Sequence, residues 1–478
     1  MRNIRKKMNG EMKILQIALN DGEGGAELSA RQQVERFLER GHEMVLAVGY
    51  KTRSLPFKTI VIPHYDLSRI ADKIKEKKFR IIQKYRSKLR FLGRIKRTLR
   101  TSAPGCNVGF DAYPGTAYFF RHLLPFPPDI IHCHSLHGNY FDLSCLPKVS
   151  RQFPMVLSIE DMWVFTGGCA YSLQCDEWQR KCENSKRPDF AQCAPHLVHK
   201  KNIYAASRLF LTANSEWMAN QIRQSILADL PCRTIYPGTD TSIFHPFDRL
   251  EARKKLSLPP DKKIVMASAN HFENNAAKDY QTIIEACKLL PDDVLCLLIG
   301  CDNTVSDMPD KIIKMRFIPD RHVMAQYFAA VDVFLHAAHS EAFGRVVTEA
   351  MACGTVVVAS AVGGIPEQIN GLKIHSLTDA ENHFNAYDNL EATGALVPHQ
   401  SPEAMSSACL FFLEHPELLT LAGKNAIERV KNNFTIDIEI DSFEKYYNWI
   451  LHEVAFDGSV KSDMKEMKEK MTESCKLK

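Results

Sequence analysis

The feature that most constrains this chain lies at residues 331–360, where two largely apolar segments bracket a polar loop and a helical stretch. VDVFLHAA and TVVVAS are short, nearly continuous apolar runs, the pattern of strands buried on both faces of a parallel sheet. The stretch 344–353 between them reads as a helix, stopped by Gly354 just past its end. Glu341 falls in the loop and Glu349 inside the helix, with Phe343 and Gly344 between them. Gly344 allows a ligand close to the backbone, and the free N–H groups at the helix start suit a phosphate. A carboxylate beside them accepts hydrogen bonds from hydroxyls. Two glutamates near one helix are more often solvated surface charges, so their weight here comes from the crowded, apolar surroundings.

The same βα alternation recurs along the chain. MKILQIAL (12–19) reads as a strand, followed by a glycine-rich turn and a helix with an apolar face of Ala30, Val34, Phe37 and Leu38. EMVLAVG is the second strand of this βαβ opening. A dinucleotide-binding turn fits poorly, because Gly22, Gly24 and Gly25 do not form G-x-G-x-x-G and no acidic residue ends the second strand. Further strands are expected in DIIHCHS, PMVLSI and RLFLTA, then, in a second series, in KIVMASA, DVLCLLIG and KIIKMRFI. Helices are expected from Glu216, Asp279 and Arg321. Such alternation defines an α/β chain with parallel sheets, and a length of 478 residues implies two domains.

The series S-E-A-F-G, E-A-M-A-C-G and G-G-I-P-E, within residues 331–367, resembles the signature of glycosyltransferase family 4, also called glycosyl transferases group 1. That resemblance implies a GT-B fold: two facing Rossmann-like domains, with a C-terminal helix returning to the first. It implies a retaining transfer of sugar from a nucleotide-sugar donor to a hydroxyl. Glu349 then holds the ribose and Glu341 contacts the donor sugar, with Phe343, Gly344 and Arg345 also at the donor. Gly24 and Gly25 match a family turn facing the donor diphosphate and acceptor, and Lys278 matches a diphosphate-gripping lysine. The arginine that usually accompanies this lysine has no counterpart in ASANHFENNAAK, a loss that Arg345 is placed to offset. His134 matches a residue lining the catalytic cleft. The segment EDMWVFTGGCAYSLQC resembles a subgroup that carries a cysteine-containing insertion and has His where this chain has Glu160, so catalysis is expected to involve Glu160, His134 and Glu341.

Cys169, Cys175, Cys182 and Cys193 lie within 25 residues. They form a candidate structural zinc set, although the gaps exceed those of a usual zinc knuckle. A disulfide, in an oxidising compartment, and ordinary thiols are the alternatives. The net charge of +5 is unevenly spread: residues 69–100 contain 14 Lys/Arg against two acidic residues. Tyr85, Leu89, Leu92, Ile95 and Leu99 share one face of a helix there, so the stretch reads either as an amphipathic helix packed on the first domain or as a contact with an anionic membrane surface. Nothing else in the chain looks like a base-reading module, so nucleic acid is not expected as a partner.

The expected organisation is a basic segment (1–10) and a first Rossmann-like, acceptor domain (11–236) with insertions at 69–100 and 163–195. A second Rossmann-like, donor domain (237–431), a closing helix (432–456) and a charged, disordered tail (457–478) follow. No run is long and apolar enough for a membrane span, and no signal peptide is apparent, so a cytoplasmic protein, peripheral at the inner membrane face, is expected. The expected function is assembly of a surface polysaccharide or glycolipid from a nucleotide sugar and a glycan or lipid-linked acceptor, with no catalytic cofactor. A non-catalytic sugar-nucleotide-binding partner of a transferase and, less favoured, a Rossmann-type oxidoreductase are the alternatives.

Overall fold

The computed structural model describes residues 10–22, 24–63, 113–173, 175–180, 182, 193–302, 308–373 and 391–452. The basic stretch 69–100 and the charged tail lie outside the described residues. Residues up to Thr212, with 220–233 and those from Lys445 on, form one compact unit; Ala213–Ala219 and Thr234–Glu444 form a second.

The apolar runs become strands. In the first unit these are β1 (Lys13–Asn20), β2 (Glu43–Tyr50), β3 (Thr59–Val61), β4 (Ile130–Cys133), β5 (Met155–Ile159), β6 (Leu209–Ala213) and β7 (Cys232–Thr234), in the spatial order β3-β2-β1-β4-β5-β6-β7. β1 pairs in parallel with β2 on one side and β4 on the other, so the chain reverses its direction of winding between β1 and β4. The second unit contains β8 (Lys263–Ser268), β9 (Val294–Ile299), β10 (Ile312–Met315), β11 (Val333–His336), β12 (Val356–Ser360), β13 (Gly371–Lys373) and β14 (Gly394–Val397). Their order is β10-β9-β8-β11-β12-β14-β13, parallel throughout, with the reversal between β8 and β11. These are two Rossmann-like α/β units of seven strands each.

The continuous apolar character of the strands has a direct cause in the second unit. Val265 and Ala267 of β8, Val333 and Leu335 of β11 and Val356 and Val358 of β12 pack with Ile283, Met405 and Phe412 on one face. Their neighbours Ile264, Met266, Phe334, Val357 and Ala359 pack with Phe328, Val347 and Met351 on the other. Successive side chains alternate between two helical layers, so the interior positions of these strands are buried on both faces. The helix Ile436–His452 contributes to both units. In the second, Glu439 accepts a hydrogen bond from the Gly238 amide at 2.9 Å. In the first, the Tyr446 hydroxyl donates to the Leu211 carbonyl at 3.2 Å and the Tyr447 hydroxyl lies 2.7 Å from His132 Nδ1.

At the start of β8 and β11 a buried ion pair fixes the helix Arg249–Lys255. Arg253 Nη2 is 2.9 Å from Asp332 Oδ2, and its other nitrogens donate to the carbonyls of Ala330, Pro260 and Lys262. Asp332 also accepts from the Ile264 amide and from Arg249. Asp332→Ala leaves the Arg253 charge buried without its counter-ion and is expected to cost about 3 kcal/mol. Urea unfolding of the full chain measures this, and a loss comparable to an exposed pair, below about 1 kcal/mol, would contradict it.

Candidate functional site

Both units carry titratable residues on the loops that leave the C-terminal ends of their central strands, the place where open α/β sheets bind ligands. In the second unit the loop after β8 ends in Lys278 and the loop after β11 carries Glu341. The two loops are laced together: Asp279 N donates to Ala337 O at 3.1 Å and His339 N to Ala277 O at 2.8 Å. This places the Lys278 ammonium in a salt bridge with Glu341, both largely buried. His336, the last residue of β11, has its Nε2 3.6 Å from the same carboxylate. Burial pushes the Glu341 carboxyl upward, but the Lys278 charge and the His336 contact outweigh it and hold the group at about 2. Glu341 is therefore ionised at any physiological pH. His336 is pushed down, by burial first and then by Lys278, and stays neutral.

Gly344 caps the helix Arg345–Ala352 with φ 83° and ψ 64°, a left-handed conformation that glycine adopts without strain. A Cβ there would sit 2.7 Å from Ile365 and 3.1 Å from Glu341 Cγ. Gly363, with φ +57°, is tighter still: its Cβ would lie 1.7 Å from the Glu341 carbonyl oxygen. The Gly364 amide donates to that same oxygen at 3.0 Å. The two glycines of G-G-I-P-E thus hold the backbone of Glu341. The glutamate of that motif does other work, since Glu367 accepts from the Glu216 and Trp217 amides, both at 2.7 Å, and caps the helix Glu216–Arg223. Phe343 is buried between Tyr236 and Phe434, each ring centroid 5.9 Å away, and belongs to the packing beneath the loop.

Glu349 points from the helix toward Arg321, whose Nη2 is 3.5 Å from its carboxylate. Burial raises its carboxyl above the ordinary value, while Arg321 and Arg345 pull it back. Arg345 donates to the Gly238 carbonyl at 3.2 Å. Lys278, Glu341, His336 and the Gly344 turn thus form one cluster, with Glu349, Arg321 and Arg345 placed along the adjoining helix.

In the first unit Gly24 precedes the helix Gly25–Glu39 with φ 100°, and a Cβ there would lie 2.2 Å from Glu27 Oε2. The Glu27 carboxylate folds back against Gly24. His134 is fully buried, with Nδ1 3.2 Å from Glu160 Oε1, and His137 Nε2 is 2.8 Å from Asp161 Oδ2. His132 points elsewhere, to Ser158 and Tyr447, so the three neighbouring histidines have separate partners. Glu27 feels the charges of Glu160, His137 and His134, so the loops after β1, β4 and β5 bring these groups together. Burial raises the Glu27 carboxyl to about 7, with Glu160 adding to the effect. Beneath them Lys200, fully buried, donates to the carbonyls of Trp163 and Thr166 and lies 3.5 Å from the centroid of a Trp163 ring.

Cys169, Cys175, Cys182 and Cys193 are free thiols. Among the described residues no three of them converge on one point, and the side chains that do are Asp279, His339 and His399. Cys182 sits at a turn with φ 55°, close enough to Cys169 and Cys175 to feel their charge, and Cys193 lies against Gly167. Sequence reasoning also passed over Glu27, His336 and Arg321. A signal existed for the first two: an acidic residue within the first turn after paired glycines, and a histidine closing an otherwise apolar strand.

Residues 248–429 match the family described as glycosyl transferases group 1. The D-inositol 3-phosphate glycosyltransferase of Mycobacterium marinum is 34% identical over 221 residues, which cover 41% of this chain and 46% of that protein. Its namesake from Mycolicibacterium vanbaalenii is 32% identical over 246 residues, 46% of this chain and 53% of that protein. The chain thus spans about half the length of the curated relatives it matches. Among solved structures, sucrose-phosphate synthase from Thermosynechococcus elongatus superposes with TM-score 0.64 at 20% identity over 93% of this chain and 100% of that one. Anabaena HepE in complex with UDP-glucose gives TM-score 0.59 at 15% identity over 93% of this chain and 100% of that one. The region that carries Lys278, Glu341, Gly344 and Glu349 lies within the match to the group 1 glycosyl transferases, and the fold is of the GT-B type.

The raised Glu27 carboxyl has a definite consequence for stability. The folded state holds this proton up to about 7, against 4.5 for the free group. Glu27 therefore costs nothing below pH 4.5 and destabilises increasingly as the pH rises toward 7. Glu27→Gln should be more stable than the wild type above pH 7, by roughly 1–3 kcal/mol, with the advantage shrinking toward pH 4.5. Denaturant melts across this range test the sign, and a pH-independent difference would refute it.

Proposed function

We propose that this protein is a retaining glycosyltransferase that moves a sugar from a nucleotide-sugar donor to a hydroxyl of a glycan or lipid-linked acceptor, in surface polysaccharide or glycolipid assembly. The observation that carries the reading is the buried Lys278–Glu341 pair beside the Gly344 turn. Cleaving a sugar–diphosphate bond builds negative charge on the leaving oxygen. The amides opening the helix Arg345–Ala352 and the Lys278 ammonium are fixed positive groups that stabilise that charge without reorganising. Glu341, ionised and anchored through its backbone by Gly363 and Gly364, accepts hydrogen bonds from donor-sugar hydroxyls. Glu349, one turn or more along the helix and flanked by Arg321 and Arg345, accepts from the ribose hydroxyls. In the first unit, Gly24 and Gly25 are the donor-turn residues and His134 and Glu160 the catalytic ones, with Glu160 where the resembled subgroup has histidine. UDP is the first nucleotide to try, because HepE was solved with UDP-glucose.

The two glutamates separate binding from turnover. Glu349→Gln should weaken nucleoside diphosphate binding by about 1.5–3 kcal/mol, the worth of a hydrogen bond to a charged group. Glu341→Gln should keep that binding nearly intact and lower kcat on the order of a hundredfold. Calorimetry with UDP and turnover with a UDP-sugar measure the two effects. Negligible losses from both substitutions would sink the assignment.

For localisation we propose a cytoplasmic protein, peripheral at the inner membrane face. Among the described residues no helix is long and apolar enough to cross a membrane. The basic stretch 69–100 supplies the membrane contact, each cation near an anionic leaflet contributing about 1 kcal/mol. The chain should sediment with anionic vesicles at low salt and be released at high salt, and replacing Arg90, Arg94 and Arg97 by Glu should abolish this. Wild-type protein that stays in the supernatant would remove the membrane from the proposal.

A further inference from the structure

Beside the Lys278–Glu341 pair, three further side chains converge from three different loops. Asp279 follows Lys278 on the loop after β8, His339 lies on the loop after β11, and His399 lies on the loop after β14. One ligand atom from each falls within 4.8 Å of the other two. His339 Nδ1 is 3.1 Å from His399 Nε2 and 3.9 Å from Asp279 Oδ2. Ligand atoms arranged tetrahedrally at zinc-type bond lengths sit roughly 3.3 Å apart. Small side-chain movements bring all three atoms to that spacing.

The electrostatics support a cation there. Asp279 is 2% exposed. A buried carboxylate is normally paired with a cation or bound to a metal. Lys278, its neighbour in sequence, is engaged by Glu341. Among the described residues the one ion-pair partner of Asp279 is an imidazole, His339. The Asp279 carboxylate is held in place by the Thr282 amide at 3.1 Å and the Thr282 hydroxyl at 2.7 Å. Such outer contacts orient a ligating carboxylate. His339 and His399 are part-exposed, which leaves a route for the ion.

We propose that Asp279, His339 and His399 bind one divalent transition-metal ion of the zinc class. Two imidazoles and one carboxylate are a donor set for borderline cations rather than for calcium or magnesium, and three protein ligands leave further coordination positions to water. The ion clips together the loops after β8, β11 and β14. It thereby fixes the backbone immediately after Lys278 and just before Glu341, so it acts on those residues through positioning.

The chain's many thiols also attract such metals, so the test must distinguish the donors. Chelator-treated full-length protein is titrated with Co2+ and followed by absorption. The expected result is one ion per chain, with visible d–d bands and no thiolate-to-cobalt charge-transfer band. His399→Ala and His339→Ala should each weaken it by more than the roughly 10–100-fold typical of losing an outer contact. Zn2+ should raise the Tm of the wild type and not that of His399→Gln, a milder substitution that keeps the measurement meaningful if the alanine variants fold poorly. Absence of binding, a spectrum dominated by thiolate charge transfer, or wild-type affinity in the histidine variants would overturn the proposal.

Discussion

Each sheet depends on one constraint: parallel strands must all enter from the same edge. Every connection therefore crosses back over a face, and every loop that follows a strand emerges at the opposite edge. In the first unit this brings Glu27, His134, His137 and Glu160 to the ends of β1, β4 and β5. In the second it does the same for Lys278, Glu341 and His399 after β8, β11 and β14. The reversal of winding beside the first strand of each sheet separates the neighbouring crossovers and leaves room there for a ligand. Helices on both faces supply the apolar cover, which is why the strands could not carry alternating polar residues.

The two edges of the second sheet handle buried charge differently. At the entry edge Arg253 and Asp332 bond to one another, and Arg249 and backbone groups take the rest of their hydrogen-bonding capacity. Such a fully satisfied network fixes a packing arrangement. At the exit edge the charges are only partly satisfied. Arg321 Nη2 lies at 3.5 Å from Glu349, and His336 Nε2 lies at 3.6 Å from Glu341, each too far for a hydrogen bond. Glu349 is held by two arginines yet still pushed upward by burial. Polar groups left short of partners at a strand's exit edge have bonding capacity available for a ligand.

Close backbone approach joins these charges to the fold. The loop between β11 and its helix passes so near Gly363 that a single methyl group there would overlap the Glu341 carbonyl. Gly344 turns the chain into the helix in a left-handed conformation that glycine adopts without strain. The position of Glu341 is therefore set by backbone contacts from residues up to 23 positions later in the chain and by a lysine 63 positions earlier.

Much of this was legible in the sequence. Continuous apolar runs marked the strands, because burial on both faces is a local pattern. Asp279, Arg321 and Gly354 marked helix ends, because capping uses neighbouring residues. The spacing of Glu341, Gly344 and Glu349 marked a loop running into a helix start, because one turn and one helix hold all three. Periodicity carries no record of contacts between distant loops. The partnership of Lys278 with Glu341, the folding of Glu27 against Gly24, and the meeting of Asp279, His339 and His399 follow from the order and register of the strands. Asp279, His339 and His399, each 60 positions from the next, converge because parallel strands deliver them to one edge.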